Sequence, residues 1–339
     1  MPAGNTSEGF GIGRKKEVVS FEECQVLNPP ALEITTNIGC PVACAYCPQK
    51  TLLTAYSKRS SEYFLSFENF KTCVDKVPVE VAIDFSGMSE AWRNPDCTRM
   101  VQYASERGHR VRIHTTLTGM RKEDVEILSA LPLEAFRVHL PSSNNLEKIT
   151  VDQKYLEVLE KVASLIPDAR FVCFGRRAHP DVVKLLRKHP SAKIRMASAS
   201  NRADNACSEG KPIFYMRQGT MMCGNNARYN ILLPNGDVIL CCMDYGLKNV
   251  LGNLLSMDYN ELFRGQAFRR VISGFKDPSL KTLCRSCTVF GCHTNLLADM
   301  YYRVPHWLSS YHVIRSWPQF AHSVKRNVLR YARYPKKNR

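Results

Sequence analysis

From Ala31 onward, short apolar runs alternate with stretches whose apolar residues recur every three or four positions. Strand-like runs fall at Leu32–Thr36, Val79–Phe85, Arg110–Thr116, Ala135–Leu140, Ala169–Phe174 and Ala192–Met196. Between them the spacing predicts helices at Phe67–Lys76, Asp96–Arg107, Lys122–Leu131, Gln153–Leu165 and Pro180–Lys188. Such alternation implies parallel βαβ units with right-handed crossovers. Six strands are too few to close an eight-stranded barrel, so an open partial barrel and a doubly wound sheet both satisfy the pattern. In either, ligands gather at the C-terminal ends of the strands.

After Met196 the pattern changes. Ala197–Met222 is polar and reads as a linker around Asn201-Arg202-Ala203-Asp204-Asn205. Two apolar runs, Tyr229–Pro234 and Asp237–Cys241, then flank Asn235-Gly236, a strong hairpin signal. A helical segment at Tyr259–Ser273 leads to a cysteine knuckle. Near the end, Ser316 with Pro318 marks a helix start, and Phe320, Val324, Val328 and Tyr331 follow at helical spacing.

Composition adds little until the cysteines are counted. Of 339 residues, 44% are hydrophobic and 23% charged, which is ordinary for a globular protein. No apolar run reaches the roughly 18–20 residues that span a bilayer, and Met1–Gly13 has no apolar signal core. A cytoplasmic protein is therefore expected. Fourteen cysteines in such a chain point to metal ligation or catalysis rather than disulfides. Cys24, Cys73, Cys97 and Cys173, isolated in apolar or helical surroundings, are expected to be small buried hydrophobes. The net charge of +16 is concentrated at the end, where Arg303–Arg339 holds nine Lys/Arg and no Asp or Glu. That suggests anionic partners but says little about chemistry.

The chemistry lies in the loop after the first strand, Thr36-Asn-Ile-Gly-Cys40-Pro-Val-Ala-Cys44-Ala-Tyr46-Cys47-Pro48. Three thiolates this close can hold one corner of a [4Fe–4S] cluster, which normally takes four, and so leave one iron open. A structural zinc site needs four ligands, and no fourth Cys or His follows within the loop. The pattern, with an aromatic residue before the last cysteine, resembles the signature of the radical SAM superfamily. The resemblance implies Cys40, Cys44 and Cys47 as cluster ligands and the Tyr46 segment near the adenine of S-adenosylmethionine. It also implies reductive cleavage to a 5′-deoxyadenosyl radical that takes a hydrogen atom from a substrate. Phe85-Ser-Gly-Met-Ser89-Glu90-Ala-Trp-Arg-Asn-Pro95 is similar to the family's Gly-Gly-Glu-Pro motif, with Met88 and Ser89 at the glycine positions and Ala91 at the proline. In that motif the segment contacts the methionine amino group, which assigns Ser89 and Glu90 to the cofactor. Thr115, Thr116 and Ser142, at strand ends, are candidate contacts to its ribose or carboxylate.

A second set comprises Cys223, Cys241, Cys284 and Cys287. The hairpin folds Cys223 and Cys241 toward one centre, and Cys284-Arg-Ser-Cys287 supplies a two-residue thiolate grip. Four thiolates leave no open iron, so this site would carry electrons or stabilise the fold; zinc on the same ligands is the simpler alternative. The arrangement resembles the SPASM/twitch domains, including Asp244-Tyr245-Gly246 and Leu251-Gly252-Asn253, and its shortage of further cysteines implies the twitch form with one auxiliary [4Fe–4S] cluster. Cys207, Cys242 and Cys292 remain as candidate hydrogen-atom donors of the kind radical SAM epimerases use, or as small buried residues. Cys242 is expected to face away from Cys241, since neighbouring residues on a strand point oppositely.

The resemblance implies an α/β fold, a partial (β/α)6 TIM-like barrel over 31–198 after a leader at 1–30. A hairpin-plus-helix iron–sulfur domain at 199–300 and a basic tail at 301–339 follow. The expected activity is that of a radical SAM oxidoreductase of dehydrogenase type, using the auxiliary cluster as electron acceptor and a flavodoxin or ferredoxin as reductant. Thirty residues before the barrel are too few for a peptide-binding domain, which favours a carbohydrate-like small molecule. A radical epimerase and a maturase of ribosomal peptides are the alternatives. His139 is a candidate base, Arg202 a candidate grip for a carboxylate, and the tail a candidate membrane-surface contact through Phe320, Val324 and Val328. A nucleic-acid-binding protein with structural metal sites is a rival from another class, but it accounts for neither the three-cysteine loop nor the barrel periodicity.

Overall fold

The alternation predicted between residues 31 and 196 is realised strand for strand. A computed structural model describes residues 30–197, 199, 200, 202, 203, 205, 219, 221–223, 225, 227–287 and the backbone of 291–293. The expected leader, the basic tail and Cys207 lie outside these. The parallel strands are β1 (Ala31–Ile34), β2 (Ala82–Phe85), β3 (Val111–Thr115), β4 (Leu133–Leu140), β5 (Arg170–Cys173) and β6 (Ile194–Met196), hydrogen-bonded in that order. The second strand is shorter than predicted because Pro78–Val81 closes as a turn, Val81 N donating to the Pro78 carbonyl at 2.9 Å.

Helices α2 (Phe67–Val74), α3 (Cys97–Glu106), α4 (Lys122–Ser129), α5 (Gln153–Leu165) and α6 (Pro180–Leu186) cover the convex face. Their apolar stripes bury Phe70, Met100, Val125, Leu159 and Val182 against Ile83, Phe85, Ile113, Val138 and Phe171. Each such side chain removed from water contributes roughly 1.5–3 kcal/mol. Cys73, Cys97 and Cys173 are buried in this core, as expected of small hydrophobes. Helix α1 (Gln49–Tyr56) was not predicted. It starts directly after the cysteine loop and buries Leu52 and Tyr56, four residues apart, under the loop.

The C-terminal segment does not form a separate layer. Strand β8 (Tyr229–Leu232) pairs in parallel with β1, from Ala31 opposite Tyr229 to Ile34 opposite Leu232. The hairpin partner β9 (Asp237–Ile239) and β10 (Val250–Asn253) extend the same sheet antiparallel, giving the order β10-β9-β8-β1-β2-β3-β4-β5-β6. The Asn-Gly turn is as predicted, with Gly236 at φ +83°. The expected helix at Tyr259–Ser273 splits at Gly265 into a 3₁₀ turn (Tyr259–Phe263) and α7 (Gln266–Lys276). Strands β7 (Met221–Cys223) and β11 (Gly291–His293) form a small antiparallel pair. Among the described residues no helix is long and apolar enough to cross a membrane.

Gly87 sits where the chain leaving β2 passes under the end of β1. Its φ is +43°, and a Cβ there would lie 2.5 Å from the Ile34 carbonyl oxygen and 2.7 Å from Thr35 Cα. Gly87→Ala must therefore shift backbone at the root of the cysteine loop. A loss of roughly 1–3 kcal/mol is expected, read as a lower urea midpoint; an unchanged midpoint would show that the two strand ends are not locked together.

Candidate active site

The cysteine loop leaves β1 and enters α1, placing Cys40, Cys44 and Cys47 on one cavity of about 580 Å³. Its backbone is pinned to the loop after β4: Ala45 N donates to the Leu146 carbonyl and Lys148 N to the Val42 carbonyl, both at 2.7 Å. The Tyr46 hydroxyl donates to Glu147 Oε1 at 3.0 Å, and its ring packs on Phe174 with centroids 5.3 Å apart. Glu147 Oε2 in turn accepts from Ser142 Oγ at 2.7 Å and Ser142 N at 3.0 Å. Ser142 is thus committed to supporting Glu147 and does not line the cavity, contrary to its expected place on the cofactor. Nothing in the sequence around Glu147 marks it. Burial raises the Cys40 thiol and pushes Cys44 up to about 12. Such thiols become ligands when a bound metal centre displaces their protons.

The Glu90 segment is tied to the same loop. Asn37 Nδ2 donates to the Glu90 carbonyl at 2.8 Å, Thr36 Oγ1 to the Ala91 carbonyl at 2.7 Å, and Ser89 Oγ to the Asn37 carbonyl at 2.5 Å. Glu90 Oε1 accepts from Thr115 Oγ1 at 2.6 Å and Trp92 N at 3.4 Å; Oε2 accepts from Thr116 N and Oγ1, both at 2.6 Å. Burial raises the Glu90 carboxyl while these donors pull it down. Ser89, Glu90 and Thr116 all line the cavity, with Thr115 and Thr116 fixing the orientation of the carboxylate.

Besides the candidate His139, the concave face of the sheet carries charge that no motif marks. Glu33 on β1, Asp84 on β2, Arg112 and His114 on β3, and Arg137 and His139 on β4 line the cavity. The signal was present as strict alternation (Val-Arg-Ile-His-Thr, Phe-Arg-Val-His-Leu), whereas parallel strands buried on both faces read as continuous apolar runs. Burial, then the adjacent Asp84 carboxylate, push Glu33 up to about 8 against the pull of Ser86 and Arg202. Burial raises Asp84 to about 6. Burial and neighbouring cations hold His139 down to about 3, so its imidazole is neutral at physiological pH and a poor base. Arg202 also lines the cavity, its guanidinium 6.0 Å from the Tyr245 ring centre.

The second cysteine set shares one pocket. Cys223, Cys241, Cys284 and Cys287 line one small pocket with Asn225 and Tyr229, and the last two residues also line the large cavity. Cys242 lies on the large cavity, so it and Cys241 line different cavities. Tyr245 lines the large cavity, its hydroxyl 3.5 Å from Cys47 Sγ. Of Cys292 the backbone alone is placed, paired with Met222 in β11 and β7.

These residues fit the implied groups. The fit is one of donor chemistry, three thiols on one cavity and four on the adjoining pocket; no three His, Cys, Asp or Glu among the described residues converge closely enough for a single metal ion. Gln49 Oε1 and Arg202 Nε, both buried at the large cavity, have no partner among the described residues, leaving polar valence toward a bound polar molecule.

Residues 223–288 match the SPASM family, an iron–sulfur cluster-binding domain, and span all four cysteines of the second set. A search of the curated proteins finds no match. Among solved structures the chain is similar to BtrN in complex with AdoMet and 2-DOIA, at 17% identity and TM-score 0.51, over 77% of this chain and 93% of that one. It is similar to Streptococcus suis SuiB bound to precursor peptide SuiA, at 13% identity and TM-score 0.55, over 79% and 71%. It is also similar to anSMEcpe with bound AdoMet, at 14% identity and TM-score 0.52, over 85% and 98%. Those likenesses establish the fold, a partial barrel of the radical SAM kind. Residues 223–288 are thus a SPASM-type domain, joined to a barrel with the fold of those structures and bearing the Cys40–Cys47 loop. The family of the 223–288 domain binds iron–sulfur clusters.

Because Glu33 is held up to about 8 in the fold against a reference of 4.5, the folded state keeps a proton that the unfolded chain releases between those values. Its contribution to stability is present below about pH 4.5 and is lost as pH rises through about 8, at up to about 1.4 kcal/mol per pH unit. Glu33→Gln removes this titration, so its melting temperature should fall less than the wild type's between pH 5.5 and 8.5. Parallel curves for the two proteins would contradict the buried, protonated carboxyl.

Proposed function

We propose that Cys40, Cys44 and Cys47 hold a [4Fe–4S] cluster with an open iron, and that Cys223, Cys241, Cys284 and Cys287 hold one auxiliary [4Fe–4S] cluster. When bound, these groups and S-adenosylmethionine supply a 5′-deoxyadenosyl radical for hydrogen abstraction and an acceptor for the remaining electron. Ser89, Glu90 and Thr116 shape the cofactor wall, and Tyr46, fixed by Glu147 and Phe174, lies on the adenine side. Arg202 grips an anionic group at the cavity mouth. The substrate is oxidised: after hydrogen-atom loss from carbon, the radical gives its electron to the auxiliary cluster, and Glu33, once deprotonated, takes the proton from the hydroxyl or amine on that carbon as the C=O or C=N bond forms. A flavodoxin- or ferredoxin-type protein supplies the reducing electron.

One observation carries this reading: the two cysteine sets lie on adjoining cavities that share Asn225 and Tyr229 as a wall. A substrate in the larger cavity is then flanked by both sites. A carbohydrate-like small molecule suits a cavity lined by carboxyl, guanidinium and imidazole groups. A peptide remains an equal candidate in view of the likeness to SuiB, whose structure holds a precursor peptide.

Cys242 supports a second reading. Its thiol faces the substrate cavity beside Glu33 and Arg202, where it can return a hydrogen atom to the substrate and invert a stereocentre. Anaerobic reconstitution and reduction with S-adenosylmethionine should yield 5′-deoxyadenosine from the wild type and at least a hundredfold less from Cys44→Ala. Turnover in deuterated water separates the outcomes. A product lighter by two hydrogens supports oxidation, an isomer bearing solvent deuterium supports Cys242, and absence of deoxyadenosine contradicts both.

A further inference from the structure

A second cavity of about 440 Å³ opens beside the first, and the two share Arg137, His139, Arg170 and Phe174. Its remaining charged lining is Lys193 and Arg195, and no Asp or Glu lines it. The cations come from three neighbouring strands. Arg137 on β4 is directly opposite Arg170 on β5, and Arg195 on β6 is opposite Val172, two residues further along the same face. Like charges directly opposed on adjacent strands destabilise a sheet.

Of the carboxylates nearby, one is committed elsewhere and one offsets Arg137 alone among these cations. Glu134, at the irregular register between β3 and β4, binds Arg112 at 2.9 Å and Arg110 at 3.3 Å. Asp84 lies 3.8 Å from the neutral His114 ring and within electrostatic reach of Arg137. Arg137 is 3.5 Å from the neutral His114 ring, and no ion pair among the described residues includes Arg137, Arg170, Lys193 or Arg195.

We infer that this cavity is a subsite for a phosphate group of the substrate, so that the molecule acted on is a phosphorylated small molecule. A single carboxylate would satisfy one guanidinium fork. The converging Arg137, Arg170, Lys193 and Arg195 match the charge and several acceptor oxygens of a phosphate ester or diphosphate. With the phosphate there, the unphosphorylated part of the molecule extends past His139 and Phe174 toward the Cys40–Cys47 wall. The inference rests on reading the large cavity as the substrate site.

Anaerobic calorimetry on the reconstituted full-length protein tests it with inorganic pyrophosphate as the probe and succinate as the carboxylate control. Saturable pyrophosphate binding is expected, at least tenfold tighter than succinate and weakened at least tenfold in both Arg170→Gln and Arg195→Gln. Both side chains are exposed, so the variants are expected to fold, which circular dichroism checks. Lys184→Gln, on the exposed side of α6 away from both cavities, removes the same charge and should leave binding unchanged. No saturation at millimolar pyrophosphate, equal affinity for succinate, or unchanged binding in both arginine variants would overturn the subsite. Deoxyadenosine formation by the same preparations reads the proposed reaction separately. Binding without it supports the subsite and overturns the reaction; deoxyadenosine without binding overturns the subsite alone.

Discussion

The position of the cysteine loop depends on buried hydrogen bonds that tie the exit of β1 to the exit of β2. Asn94 Nδ2 donates to the Thr36 carbonyl at 2.9 Å and to the Leu65 carbonyl at 2.8 Å. The bonds from Thr36, Asn37 and Ser89 complete the tie. Polar groups buried like this are costly unless each is satisfied, about 1–3 kcal/mol for each one left open. The backbone of both loops is therefore fixed as a unit, and three thiols and the Glu90 carboxylate face the same cavity as a consequence. Gly87 permits the close approach, since no side chain fits between its Cα and β1.

The second constraint is the parallel pairing of β8 with β1. It makes the C-terminal hairpin a continuation of the barrel sheet rather than a separate body, so the segment after β9 runs along the cavity wall. In the turn after β9, Cys241 lines the small pocket and Cys242 the large cavity. Tyr245, reaching Cys47, closes the link between the domain at 223–288 and the first cysteine set.

Much of this was legible in the sequence, and the rest failed for identifiable reasons. The βα alternation and the gathering of each cysteine set on one cavity follow from periodicity and spacing; Cys241 and Cys242 line different cavities from a turn, not from the strand the pattern implied. The joining of β8 to β1 does not follow, because an isolated hairpin pattern carries no record of which strand its edge will meet. Ser142 was misplaced because a strand-end position says nothing about a competing carboxylate, and Glu147 five residues on captures its hydroxyl. The charged concave face shows as alternation in β3 and β4, a pattern that carries no motif. Those residues decide what the cavity can hold: a neutral His139, a protonated Glu33 and a row of arginines toward β6.

Two four-iron clusters on opposite sides of one wall are the core of the proposal, and metal counting in cysteine variants addresses them most directly. Anaerobically reconstituted wild type should hold about eight irons per chain. Replacing Cys40, Cys44 and Cys47 together by alanine should leave about four, as should replacing Cys223, Cys241, Cys284 and Cys287, with acid-labile sulfide falling in step. Zinc at either set, or all iron lost with the first three cysteines alone, would contradict it.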